Sequence, residues 1–82
     1  MDVHALRVFS EVVRHQGFTR ASRSLRLTQP AISKIVAGLE EELGTPLLVR
    51  ERRRVRLTDA GSLVLDRARG ILDSLRFLEE ES

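Results

Sequence analysis

Two segments of the chain gather basic side chains and nearly exclude acids. The first, residues 12–39, holds five basic residues and no acid: Arg14, Arg20, Arg23, Arg26 and Lys34. The second, residues 50–56, holds five arginines against a single acid, Glu51. Most other acids lie in separate clusters, including residues 40–42 and 79–81. Guanidinium and ammonium groups grouped in this way suit a polyanion such as a nucleic acid, and a mixed, solvated surface explains the charge pattern equally well.

Catalytic and metal-binding chemistry has little support in the sequence. The chain has no cysteine, which excludes thiolate zinc sites, iron–sulfur clusters and disulfides. Its two histidines, His4 and His15, fall in one predicted helix about 16 Å apart, too far to bind a common metal ion. No nucleophile–base pair and no glycine-rich phosphate loop is present. We therefore expect no enzyme, no cofactor and no metal site.

Length and composition indicate one small globular domain. The chain has 82 residues, of which 41% are apolar and 32% charged. Its three aromatic residues are all Phe, so it has no Trp or Tyr on which unpaired bases could stack. No apolar run approaches the ~20 residues that span a bilayer, and the N-terminus does not look like a signal peptide. A cytoplasmic protein without a membrane partner is expected.

The elements that must position these basic residues begin with two helices. Apolar spacing predicts the first over residues 3–15, with Asp2 as N-cap and Gly17 as the C-terminal stop. A short second helix is expected over residues 19–25, with the hydroxyl of Thr19 as its cap.

A third helix is predicted over residues 29–43. Thr28 is its expected N-cap, and Pro30 is tolerated in the first turn because amides there have no intrahelical acceptor. Gly44 should end the helix. Two short helices joined by a tight turn, the second opened by a capped proline turn, form a helix-turn-helix.

Beyond Gly44 the pattern predicts a β-hairpin and then a long helix. The β-prone segments 46–49 and 55–57 flank the charged residues 50–54, which should form the hairpin tip. Helix restarts at Thr58 and Asp59 and continues to about residue 80. Five of its apolar residues are spaced by four and three in alternation, as in a coiled-coil seam: Val64, Ala68, Ile71, Leu75 and Leu78. We interpret this seam as a contact with a second copy, and packing on its own domain is the alternative.

The run of residues 17–61 resembles the N-terminal domain of LysR-type transcriptional regulators. Its letters are GFTRASRSLRLTQPAISKIVAGLEEELGTPLLVRERRRVRLTDAG. The resemblance implies a mainly α winged helix-turn-helix, with a three-helix core and a two-stranded wing in residues 1–58. Residues 59–82 would then form a long linker helix that dimerises. The family usually carries a C-terminal effector-binding domain, absent from this chain, and a tetramer is possible in a full-length protein.

The chain departs from the family pattern in the wing. The family usually has an aromatic residue where this chain has Leu48, and often an acid where it has Val49. Its wing commonly contains Gly or Asn where this chain has Glu51 and Arg52. The wing is therefore the part of the chain that the resemblance describes least well.

The third helix is expected to read DNA in the major groove, where base identity is displayed as donors and acceptors. The residues expected to face bases lie near its N-terminal end, where such contacts are usually made: Gln29, Pro30, Ala31 and Lys34. The residues expected to contact the DNA backbone are Thr19, Arg20, Thr28, Ser33 and Arg50. The wing residues expected at the minor groove are Arg52, Arg53 and Arg54, although either Arg52 or Arg54 could instead pair with Glu51. The resemblance supports base contacts by Gln29, Pro30 and Lys34, phosphate contacts by Ser33 and Arg50, and Arg53 in the minor groove.

The expected partner is double-stranded DNA that carries an interrupted inverted repeat. A twofold homodimer places two recognition helices about one DNA turn, ~34 Å, apart, and so favours such a target. The alternative function is a winged-helix protein–protein or dimerisation module that never binds DNA. That module would use the apolar seam but would not need a polar, basic face at both the third helix and the wing.

Overall fold

The computed structural model describes residues 1–81 and consists of four helices and one hairpin. In chain order the elements are α1 (Val3–His15), α2 (Phe18–Leu25), α3 (Gln29–Leu43), β1 (Leu48–Glu51), β2 (Arg54–Leu57) and α4 (Asp59–Glu81). This order confirms the predicted winged helix-turn-helix with a long last helix. Ser82, with which the predicted linker segment ends, lies outside the described residues.

The predicted bounds of α1, residues 3–15, are confirmed, but the residue that ends the helix is not the predicted Gly17. Asp2 caps the helix, since its carboxylate accepts a hydrogen bond of 2.7 Å from the Ala5 amide. The left-handed residue that ends the helix is Gln16, with φ of 57°, and not Gly17. The Gln16 amide donates to the carbonyls of the last turn, so the helix already ends there.

The prediction that Thr19 caps α2 is wrong. The helix begins at Phe18, Gly17 occupies the N-cap position, and no side chain bonds to the amides of the first turn. The helix starts early because Phe18 packs against the core directly after the short connection from α1. Thr19 is left exposed within the first turn, with its hydroxyl free of the capping role.

The predictions for α3 are confirmed. The Thr28 hydroxyl accepts a hydrogen bond of 3.2 Å from the Ala31 amide, and Pro30 stands in the first turn. Gly44 ends the helix with φ of 70°, which a residue with a Cβ rarely adopts. Ile32, Val36 and Leu39 are buried in the core and define the inner face of the helix.

A carboxylate joins α3 to the hairpin. Glu40 Oε2 accepts hydrogen bonds from the backbone amides of Leu47, at 2.7 Å, and Leu48, at 3.3 Å. The antiparallel strands then pair from Leu48 opposite Leu57 to Glu51 opposite Arg54. This anchor fixes where the wing leaves the helical core.

The start of α4 presses against the entry to β1. Thr58 Oγ1 accepts from the Gly61 amide at 2.9 Å and donates to the Pro46 carbonyl at 2.7 Å. A Cβ on Gly61 would lie 2.0 Å from the Leu47 carbonyl oxygen, which no side chain can tolerate. Only glycine allows this close approach of helix and strand.

One core joins α1, α2, α3, the start of the wing and the first half of α4. Its members are Leu6, Val8, Phe9, Val12, Ala21, Ile32, Val36, Leu39, Leu47, Leu48, Leu65 and Ala68. The predicted α4 seam therefore needs a correction at Ala68, which is 1% exposed and has no surface left for a partner. Val64 and Leu75 are half-buried, whereas Ile71 and Leu78 are exposed. The five residues form one stripe along α4, and most of its second half is exposed because the core covers only the first half of the helix.

Candidate nucleic-acid interface

The N-terminal end of α3 is exposed on the side opposite the core. At about 100° per residue, the burial of Ile32 and Val36 turns Pro30 and Lys34 outward. Gln29 is also exposed and lines a groove shared with the wing. Ala31 is half-buried, so it presents less surface than the other residues predicted to face bases.

Arg50 connects the wing to both helices of the helix-turn-helix. Its Nη2 atom donates a hydrogen bond of 2.6 Å to Ser33 Oγ on α3. Its Cζ atom lies 4.4 Å from the centroid of the Phe18 ring at the start of α2. Alternation along the strand places Arg50 on the face that Val55 also occupies, towards the helices. Two residues predicted to contact the DNA backbone, Ser33 and Arg50, are thus brought together.

Phe18 is not among the site residues predicted from the sequence, although both of its neighbours, Gly17 and Thr19, were given roles. The ring lines the groove between α2, α3 and the wing, together with Gln29, Pro30, Ser33 and Arg50. An aromatic face attracts a guanidinium through the electrostatic field of the ring. The sequence holds no signal for this pairing, because residues 18 and 50 meet only in the folded chain.

The first turn of α2 faces the wing tip. A groove there is lined by residues of both elements, among them Thr19, Arg20, Arg53 and Arg54. The Val55 amide donates to the Gln16 carbonyl at 3.1 Å and holds the wing beside this turn. The amides at the start of α2 lack a side-chain cap, so they remain available to an anion.

The wing arginines divide into two groups. Glu51 accepts a hydrogen bond of 2.9 Å from Arg56 Nε and lies 3.9 Å from Arg54 Nε. Among residues 1–81, Arg52 and Arg53 form no ion pair, and both are exposed. The sequence anticipated a partner for Glu51 at Arg52 or Arg54. It missed Arg56, although alternation along β2 places Arg54 and Arg56 on one face.

Lys34 lies apart from the wing. It lines a separate groove between α1 and α3, with Asp2, His4 and Glu42. The outer surface of α3 therefore runs from the wing, at Gln29 and Ser33, to Lys34 on the side of α1. A ligand that contacts all predicted residues must span this whole width.

A charged cluster behind the interface ties α1 to α2. Glu11 accepts from Ser24 Oγ at 3.1 Å, lies 3.3 Å from Arg14 and contacts His15 at 3.2 Å. Partial burial tends to raise the pKa of Glu11, but the hydrogen bonds from Ser24, Arg14 and His15 outweigh it and lower the pKa below its ordinary value. These contacts between α1 and α2 therefore favour the ionised form of Glu11.

Residues 3–62 match the family model described as "Bacterial regulatory helix-turn-helix protein, lysR family". The match spans most of the chain and includes all three helices of the core and the wing. The chain belongs to the LysR family. The resemblance on which the sequence analysis rested is thereby confirmed.

Curated LysR-family relatives align along nearly the whole chain. A probable cat1 operon transcriptional activator of Acinetobacter lwoffii is 47% identical over 72 residues, 88% of this chain and 24% of the relative. A RuBisCO operon transcriptional regulator of Allochromatium vinosum is 45% identical over 80 residues, 98% of this chain and 26% of the relative. The chain thus spans about a quarter of the length of these relatives.

Solved LysR-family structures share the fold closely. A complex of the BenM DNA-binding domain with catB site 1 DNA matches with a TM-score of 0.94 and 36% identity, over 99% of this chain and 90% of that one. A complex of the CbnR DNA-binding domain with DNA matches with a TM-score of 0.92 and 32% identity, over 99% and 93% of the two chains.

Within residues 1–81, this LysR-family chain has neither a helix able to span a membrane nor a cluster of metal-ligating side chains. No helix combines the length and the apolar character that crossing a bilayer requires. No group of three or more His, Asp or Glu side chains is arranged to hold a metal ion.

Proposed function

We propose that this chain binds double-stranded DNA as the sequence-reading domain of a LysR-family transcription regulator. The observation that carries the proposal is the bond from Arg50 to Ser33, which joins the wing to the exposed N-terminal end of α3. A helix end and an arginine-rich hairpin held side by side suit a major groove and the neighbouring backbone or minor groove. Family membership and the likeness to two DNA complexes support the same function.

In this proposal α3 lies in the major groove. Gln29 pairs with a base, Lys34 donates to guanine acceptors or to phosphate, and Pro30 contacts a thymine methyl group. The half-buried Ala31 makes a smaller apolar contact. These residues carry the sequence discrimination, since the contacts to phosphate are the same for every sequence.

Three hydroxyl groups and two arginines contact the DNA backbone in this proposal. Thr28 and Ser33 each accept a hydrogen bond within the protein, so each keeps its own proton to donate to a phosphate oxygen. Thr19 and Arg20 meet phosphate at the uncapped start of α2. Arg50 retains guanidinium N–H groups beyond the one that Ser33 accepts.

At the wing tip, Arg52 and Arg53 reach toward the minor groove and the flanking phosphates. Both are exposed at the turn between β1 and β2 and free of ion pairs within the part of the chain that the structure describes. Arg54 is the third predicted wing contact. It must leave Glu51 before it can contact DNA fully.

A second copy covers the exposed apolar face of α4 in this proposal. That face holds Leu63, Ile71 and Leu78, and half-buried Val64 and Leu75 border it. Leu43 at the end of α3 adds to the same surface. We retain the division into a DNA-binding part, residues 1–58, and a dimerising helix from residue 59, and a longer protein could form tetramers. Such a regulator works without catalysis, in the cytoplasm, where bacterial DNA lies.

Selection of binding sites from a random duplex library at about 150 mM salt tests the function. We expect enrichment of an interrupted inverted repeat with half-sites about one turn apart. If the dimer neutralises roughly six to ten phosphates, affinity falls about 10³–10⁵-fold between 50 and 200 mM salt. An undivided half-site would contradict the dimer. Absence of any duplex binding would favour a protein–protein module instead.

A further inference from the structure

Glu51 occupies the outer face of the wing, among its arginines. It pairs across the hairpin with Arg54, and Arg56 lies two residues further along the same face of β2. Arg50 and Val55 lie on the opposite face, towards the helices. The only acid in residues 50–56 is therefore placed at the centre of a face that would otherwise carry positive charge alone.

The Glu51 carboxylate contacts two arginines of β2. Its Oε1 atom accepts from Arg56 Nε at 2.9 Å, and its Oε2 atom lies 3.9 Å from Arg54 Nε. The Glu51 side chain is 39% exposed and those of Arg56 and Arg54 are 67% and 73% exposed. Glu51 and Arg54 also line a groove together with Gln29 at the start of α3, so this pair stands beside the surface that DNA would approach. Exposed ion pairs contribute little to folding stability, so this pairing is not explained by stability alone.

We propose that Glu51 limits sequence-independent DNA binding by competing with phosphate for Arg54 and Arg56. The inference rests on the proposed function, because it concerns the balance between specific and non-specific DNA complexes. A phosphate that binds either arginine must displace the Glu51 carboxylate, and the negative charge of Glu51 also repels it. Non-specific binding consists almost entirely of phosphate contacts, so displacement of Glu51 lowers the affinity of the whole non-specific complex. In the specific complex, contacts from α3 fix the wing and Glu51 matters less.

A pair of matched variants separates this local effect from a change in net charge. Glu51→Gln removes one negative charge at the wing and leaves a side chain of the same size. Asp73→Asn removes one negative charge on α4, where Asp73 lies 3.6 Å from Arg76 and far along the chain from the wing. Both variants are compared with the wild-type chain on a mixed-sequence duplex of about 30 base pairs, titrated at salt concentrations between 50 and 200 mM.

We expect Glu51→Gln to tighten binding of the mixed-sequence duplex about twofold to fivefold. The slope of log affinity against log salt should steepen by about one for each arginine that gains a phosphate. Glu51→Asp, which keeps the charge, should remain close to wild type. In the Glu51→Gln background, Arg56→Gln should lose more affinity than it does in the wild-type background.

Two results would overturn the inference and one would refute the function beneath it. If Glu51→Gln and Asp73→Asn change affinity and slope equally, Glu51 has no local role. If Arg56→Gln costs the same in both backgrounds, Arg56 does not depend on Glu51. If the wild-type chain binds no duplex even at 50 mM salt, the proposed function itself fails, whatever the variants do.

Discussion

The guanidinium carbon of Arg50 lies 4.4 Å from the centroid of the Phe18 ring. Phe18 begins α2 and Arg50 lies in β1, so this contact holds the wing against the helix-turn-helix. The same guanidinium bonds to Ser33 on α3. A planar guanidinium fixed on two sides loses little further freedom when it meets a phosphate, which favours binding.

Loss of the Phe18 ring should therefore weaken DNA binding. Phe18→Leu keeps an apolar side chain against the core but removes the aromatic face, at a cost of about 0.5–1 kcal/mol, or roughly twofold to fivefold in affinity. Phe18→Tyr keeps the ring and serves as the control. Fluorescence anisotropy with a labelled duplex measures both, after melting curves establish that both fold. Equal affinities for the Leu and Tyr variants would show that the ring does not position Arg50.

Replacement of Gln29 and of Arg53 should have different consequences. Gln29→Ala should relax the preference at one base position by about 1–3 kcal/mol, since the proposed pairing reads a base edge. Arg53→Ala should weaken all sequences about evenly and lower the salt slope by about one, since its contact is electrostatic. Competition between the selected duplex and single-base variants measures both effects. A uniform loss for Gln29→Ala would refute its role in reading bases.

A charge in the exposed apolar face of α4 should prevent dimerisation. Ile71 is 49% exposed, so Ile71→Glu disturbs the fold little but would place an unpaired carboxylate in the proposed interface. Arg69→Glu introduces the same side chain at an exposed position that helical geometry turns away from this face. Sedimentation at several concentrations should show monomers for the first variant and dimers for the second. Dimers of Ile71→Glu would exclude this face as the interface.

Gly61 should be far less tolerant of a methyl group than Gly38. In Gly61→Ala the Cβ would overlap the Leu47 carbonyl, so α4 must shift from β1, and we expect a loss of about 2–3 kcal/mol or more. A Cβ on Gly38 meets nothing within 4 Å, and Gly38→Ala should gain about 0.5–1 kcal/mol from its helical position. Urea denaturation compares the two variants. Similar stabilities would contradict the close approach at Gly61.

The lowered pKa of Glu11 predicts a pH-dependent contribution to stability. A carboxyl group with a lower pKa in the folded state stabilises the protein at pH values above its unfolded pKa, and the contribution is lost as the pH falls through the folded pKa. Wild type should therefore be more stable than Glu11→Gln at pH 7. The difference should shrink in acid, as urea midpoints at pH 7 and pH 3 would show. A constant difference would mean that the ionised form has no special role.

The sequence alone determined every element whose signal is local. Thr28, Pro30 and Gly44 bound α3 because a capping hydroxyl, a first-turn proline and a left-handed glycine act within a few residues. Apolar spacing likewise predicted α1 over residues 3–15. The resemblance to the LysR family could be found in the sequence because the residues that carry it lie in one continuous segment, residues 17–61.

Tertiary structure decided whatever depends on residues far apart in the chain. The stacking of Arg50 on Phe18 and the burial of Ala68 in the core both arise from packing between elements. The helix α2 starts at Phe18 and not at Thr19, with the partly buried Phe18 ring packed against residues from other elements. Local patterns specify where a helix can begin and which of its sides can be apolar. Packing around one small core then determines which apolar residues are buried and which remain exposed to bind a partner.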